Sequence, residues 1–168
     1  SALNSEVDPT LSTIYKHLLN SSGKQIRAAI IIFICKSSEL YNKDEIIKLA
    51  ASIELIHLAS LVHDDIIDEA DERRNQATVH KKFGLNNGIL TGVHCYAIAL
   101  NIIASLNKPK LISIISNAVI ELCEGESIQV NNRFNYKLSK KEYWTIVSHK
   151  TSSLFKAAAL CSSYLCNF

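Results

Sequence analysis

Residues 44–71 contain no glycine, no proline and no run of turn formers, and apolar side chains recur there on more than one face. A helix apolar nearly all round cannot lie on a surface, so this segment predicts a central member of a helical bundle. The rest of the chain agrees. Five glycines and two prolines in 168 residues are too few for a strand-and-turn fold, and they favour long helices.

The periodicity predicts further helices over 9–19, 24–40, 87–106, 110–131 and from 140 onwards, with a short helix or turn over 76–83 closed by Gly84. The stops are Asn20-Ser21-Ser22-Gly23, Tyr41-Asn42-Lys43, Asn107-Lys108-Pro109 and a polar loop over 132–138. Ser139 followed by Glu142 fits a capping box opening the last helix. With no repeat or linker in view, residues 1–168 read as one domain.

Hydrophobic residues make up 48% and charged residues 20%, a globular composition. A net charge of +2 gives no case for nucleic acid. The five cysteines are odd in number and lack CxxC spacing, so they read as buried thiols in a reducing compartment. The start, SALNSEVDPT, has no secretory pattern. A cytoplasmic protein is expected, or an organellar-matrix one if a targeting segment has been removed. The longest apolar run, 28–35, is shorter than a membrane span.

Chemistry concentrates after the central helix, in LVHDDIIDEADERR over 61–74. Asp64 and Asp68 are four apart, so a helix projects both carboxylates from one face. Such neighbours repel unless a cation neutralises them. Magnesium typically joins one or two carboxylates to substrate phosphates. The alternative is a solvated helix end, which its dipole disfavours. Arg73 and Arg74 supply forked donors matched to phosphate oxygens. Upstream, Lys24 and Arg27 share a face at a helix start, where backbone N–H groups favour anions; a solvated start is the plain alternative. His57 and Ser60 share the column of Asp64 and Asp68, although a lone helical histidine is more often a core residue. Lys150-Thr151 sits in an otherwise apolar helical run, where a snorkelling lysine competes with a phosphate contact.

Together the segments GKQIR (23–27), ELIHLASLVHDDIIDEADERR (54–74), TVHKKFG (78–84), CEGESIQ (123–129) and HKTSSLFKAAAL (149–160) resemble, in order, the trans-polyprenyl diphosphate synthases. The resemblance implies an all-α antiparallel bundle of the isoprenoid synthase type around a deep cavity. It implies Mg2+ held by Asp64 and Asp68, with Asp65 supporting, against the diphosphate of an allylic prenyl substrate contacted by Arg73. By the same resemblance Lys24, Arg27, His57 and Arg74 match contacts to isopentenyl diphosphate. Lys150 and Thr151 match positions beside the allylic diphosphate and the developing cation, and Gln129 faces the cavity or serves structure. Ala59 and Ser60 are small where bulky side chains set short products, which implies medium- or long-chain products; a geranylgeranyl product is the alternative, since another helix can set the floor lower. A dimer through the helix from about Asn87, or a heteromer with another synthase subunit, is also implied.

Three departures stand out. Ala28 replaces a proline, and Gly92-Val93-His94-Cys95 lacks the aspartate usual after that glycine. No second DDxxD follows Asp68. The expectation is therefore the N-terminal half of such a bundle, with little turnover by itself. A non-catalytic subunit that stabilises or tunes an active synthase is the alternative from another class. A terpene cyclase would share DDxxD but leaves GKxxR, the paired arginines and KTxxLF unexplained.

Overall fold

A computed structural model describes residues 8–20, 23–38 and 42–168. The described residues are all-α apart from one hairpin of two two-residue strands, as the periodicity predicts. Its elements are α1 (Pro9–Asn20), α2 (Ile26–Lys36), α3 (Lys43–Ile67), β1 (Glu72–Arg73), β2 (Gln76–Ala77), α4 (Val79–Phe83), α5 (Leu85–Ala104), α6 (Pro109–Asn131), α7 (Lys140–Val147) and α8 (Ser153–Leu165). A π-helical turn, Ser148–Ser152, joins α7 to α8. The stops expected at Ser21-Ser22 and Tyr41 lie outside the described residues. Helix α2 ends at Lys36, short of the end expected at Leu40, as the Ser37 and Ser38 N–H groups turn to the Ile34 and Cys35 carbonyls.

Two compact units share these helices. The first comprises residues up to Gln25 with Leu55–Ile98, and the second comprises Ile26–Glu54 with Ala99–Phe168. Thus α3 and α5 each contribute to both. In the first unit Ile14, Val62 and Val79 form a buried cluster under Leu18 and Phe83. That cluster pins α1 and α4 against the second half of α3. In the second unit α8 packs on both α2 and α6, and Ile31, Cys35, Leu111, Ile115, Leu154 and Cys161 are buried.

Helix α3 ends at Ile67, four residues before the expected stop. Glu69 takes a left-handed φ of 52°, and the Ala70 N–H donates to the Asp65 carbonyl at 2.9 Å. That closing turn is absent from the apolar period, which carries on past it. Helices α3 and α5 have the length and hydropathy to cross a membrane. The isolated run 28–35 hid this, but length and hydropathy alone do not separate a span from a core helix. Half of the α3 window is buried within the protein itself.

Candidate functional site

In the first unit α3 carries His57, Ser60 and Asp64 before it ends. The Asp68 N–H still donates to the Asp64 carbonyl at 2.8 Å, so the helical register holds across both aspartates. Asp64 is half-buried and Asp68 exposed. Ala59 is fully buried, and the buried Ser60 hydroxyl donates to the His57 carbonyl at 2.8 Å.

Asp65 points differently from its neighbours. It is buried, and its Oδ1 accepts from Arg73 Nε and Nη2, both at 2.7 Å. This fork-like pairing raises the Arg73 guanidinium above its ordinary value, through the Asp65 bond first and then the charges of Asp64 and Asp68. The residue expected to support the metal is therefore bound to the residue expected at the allylic diphosphate. Among the described residues no three His, Cys, Asp or Glu side chains converge as a metal cage. Two carboxylates one helical turn apart still suit magnesium, which takes few protein ligands and fills the rest with water and phosphate.

Arg74 and Asn75 form the tip of the β1–β2 hairpin, with Glu72 opposite Ala77 and Arg73 opposite Gln76. Both tip residues have positive φ, 53° and 61°. A two-residue turn needs that geometry, for which Asn and Gly are the usual residues. The Arg74 guanidinium lies over Gly23, where an added Cβ would be 2.6 Å from Nη2. The start of GKQIR and the second arginine thus meet, and Gly23 lacks a side chain because the guanidinium takes its place. Lys24 is exposed one residue on, and Gln25 is left-handed at φ 48°.

Arg27 lies in the second unit with different neighbours. Its guanidinium sits 4.3 Å above the Phe155 ring. Burial pushes it below its ordinary value, and the Glu54 carboxylate partly offsets this. Glu54 Oε1 also accepts the Ala28 N–H at 3.0 Å. The protein thus supplies its own anion at the start of α2, where the spacing of GKxxR suggested a phosphate.

The π-helical turn holds His149, Lys150 and Thr151. The sequence reads as one helix from 140; the structure inserts a wider turn, a device often found at functional sites. Helix α6 approaches it closely. A Cβ on Gly125 would come within 2.7 Å of His149 Cβ and 2.8 Å of the Lys150 amide. Beside that contact, buried Glu126 forms an ion pair with the Lys150 ammonium. Glu126 Oε1 is buried without a hydrogen-bond partner among the described residues, which makes Lys150 its main compensation. Gln129 is half-buried one turn further on, and Thr151 is exposed.

Glu54 and Glu126 escaped the sequence reading. Both lie in recognised segments, but no spacing rule connects residue 54 to 28 or 126 to 150. Packing does.

The polyprenyl synthetase family matches residues 8–168. The octaprenyl diphosphate synthase of Escherichia coli is 34% identical over 97% of this chain and 50% of its own length. The heptaprenyl diphosphate synthase component 2 of Geobacillus stearothermophilus is 32% identical over 94% of this chain and 48% of its own. Among solved structures, a polyprenyl synthase from Caulobacter crescentus complexed with calcium and isoprenyl diphosphate superposes with a TM-score of 0.92. It is 27% identical, over 98% of this chain and 50% of that one. The chain thus spans about half the length of these relatives. With its helical fold, its aspartate column and a match running almost from end to end, the chain belongs to the polyprenyl synthetase family.

Proposed function

We propose that this chain is the N-terminal half of a prenyltransferase that adds isopentenyl diphosphate to an allylic prenyl diphosphate, giving medium- or long-chain products. The observation that carries the reading is the column of Asp64 and Asp68 at the end of α3, followed within one hairpin by Arg73 and Arg74. Asp64 and Asp68 would hold Mg2+, which when bound neutralises the departing diphosphate. Asp65 fixes Arg73 in one rotamer, so its outward N–H groups meet a phosphate without an ordering cost. The resemblance assigns Lys24, Arg27, His57 and Arg74 to the isopentenyl diphosphate, and Gly23 lets the Arg74 guanidinium close over the start of GKQIR. The resemblance assigns Lys150 and Thr151 to the allylic diphosphate and the cation it leaves, and Gln129 to the cavity or to structure. The small Ala59 and Ser60 leave the path of a growing tail open.

Product analysis of the full reading frame with magnesium, isopentenyl diphosphate and allylic starters of increasing length tests this. Products of about seven to ten isoprene units are expected, and no condensation with any starter would sink the assignment. The 168-residue chain alone should show little or no turnover.

A second reading is supported by the heptaprenyl synthase relative, which is named as one component of an enzyme. Here the chain pairs with another synthase subunit. Homodimerisation is the simpler form of the same idea, supported by Ile89, Leu90, Val93 and Leu100 exposed along α5. The five free thiols, four buried as expected and Cys123 exposed, suit a reducing compartment, cytoplasm or organelle matrix. Imaging of a tagged full-length protein checks the compartment.

A further inference from the structure

The loop between α6 and α7 and the first turn of α7 carry four of the chain's twelve aromatic residues in eleven positions. All four are exposed: Phe134 by 86%, Tyr136 by 95%, Tyr143 by 53% and Trp144 by 65%. Soluble surfaces rarely gather aromatic rings in this way without a use for them. Four exposed cations are interleaved with them: Arg133, Lys137, Lys140 and Lys141. The one acid, Glu142, is engaged by the capping box, accepting the Ser139 N–H at 2.8 Å. Residues 133–144 therefore carry +3, against +2 for the whole chain.

The loop is also built to hold its shape. Asn135 Nδ2 donates to Asn132 Oδ1 at 2.9 Å, and the Lys137 N–H donates to Asn135 Oδ1 at 3.0 Å. Phe134 is held at φ 63°, a left-handed conformation that a bulky residue rarely adopts. Phe134 and Tyr136, the two most exposed of these rings, add almost nothing to the packing of the unit.

We propose that this surface docks on an anionic lipid bilayer. Trp and Tyr rings favour the headgroup region, where an apolar body and a polar edge are both satisfied. Lysine and arginine beside them are drawn to acidic headgroups, each contributing independently near the surface. The charge of the stretch complements such a membrane and nothing neutral. Single-stranded nucleic acid, which also uses rings and cations, needs flat stacking platforms. Tyr143 and Trp144 instead pack edge to face on each other, at 5.7 Å and 68°. The loop begins just past Asn131, at the end of α6, so docking would set the Glu126–Asn131 end of α6 beside the bilayer. The surface stands or falls separately from the proposed condensation.

The test is co-sedimentation of the full reading frame with phosphatidylcholine vesicles, with and without about one-third phosphatidylserine. Bound protein should rise at least several-fold with the acidic lipid and fall back at high salt. The Trp144 emission, taken as the difference between wild type and Trp144→Phe, should shift to the blue only with acidic vesicles. A Phe134→Ser/Tyr136→Ser/Trp144→Ser variant and a Lys137→Glu/Lys140→Glu/Lys141→Glu variant should each lose about ten-fold in vesicle affinity, with circular dichroism unchanged. Equal binding to neutral and acidic vesicles would overturn the proposal. So would full binding by both variants, or RNA competing the protein off the vesicles through these same rings. Absence of condensation in a parallel assay would touch only the enzymatic reading.

Discussion

A methyl group at Gly125 would meet backbone, the Lys150 amide at 2.8 Å, whereas at Gly23 it would meet the tip of a flexible side chain, Arg74 Nη2 at 2.6 Å. Gly125→Ala should therefore cost about 1–3 kcal/mol by overpacking, and Gly23→Ala should leave thermal unfolding nearly unchanged while displacing Arg74. Denaturant titration of both variants checks this. Arg74 itself holds a left-handed conformation better suited to Asn. Arg74→Asn should keep or raise Tm yet weaken isopentenyl diphosphate binding at least ten-fold in titration calorimetry, the signature of strain retained for function. The Glu126–Lys150 pair makes a different prediction. Removing Glu126 takes from the half-buried Lys150 its buried counter-charge, so Glu126→Ala should destabilise by about 3 kcal/mol, and Glu126→Leu with Lys150→Met by clearly less. Comparing the two in urea decides it.

At the scale of elements, the start of α7 was legible from four residues. Ser139 Oγ accepts the Glu142 N–H at 3.2 Å, and Glu142 returns the bond to the Ser139 N–H. These bonds hold the Glu142 carboxyl below the usual carboxylate range, the Ser139 side chain first and its backbone N–H second. A depressed folded value stabilises above the unfolded one, near pH 4.5, and the gain is lost as pH falls through the folded value. Ser139→Ala should lower Tm by roughly 2–4 °C near neutral pH. The gap between wild type and Glu142→Gln should close as the medium is acidified below about pH 4, as a pH series of melts will show. The wider turn at Ser148–Ser152 was not legible, because residues of ordinary helix propensity form it under the approach of Gly125. The early end of α3 at Ile67 was missed for a related reason. Hydrophobic period reports which face is buried, and it does not register a left-handed Glu69.

For the whole molecule, the exposed apolar stripe on α5 is the feature most open to test. Leu90 is 59% and Val93 55% exposed, and Val93 stands where the sequence resemblance implies an aspartate. If that stripe is a subunit contact, Val93→Glu in the full reading frame should shift sedimentation from dimer towards monomer without loss of helix. What the linear chain decided was chiefly local. Few helix breakers, a segment apolar all round and a run of acids followed by arginines were enough for an all-α fold and for the family. Helix periodicity and i,i+4 spacing are properties of neighbours in sequence, and they survive without knowledge of packing. Pairings between distant residues needed the folded chain: Asp65 taken by Arg73, Glu54 on the start of α2, Glu126 on Lys150 and Arg74 over Gly23. Each depends on side-chain direction and on how near two helices or turns come, quantities that no spacing rule encodes. The sequence named the charged groups, and tertiary packing chose which of them are spent on one another and which face outward.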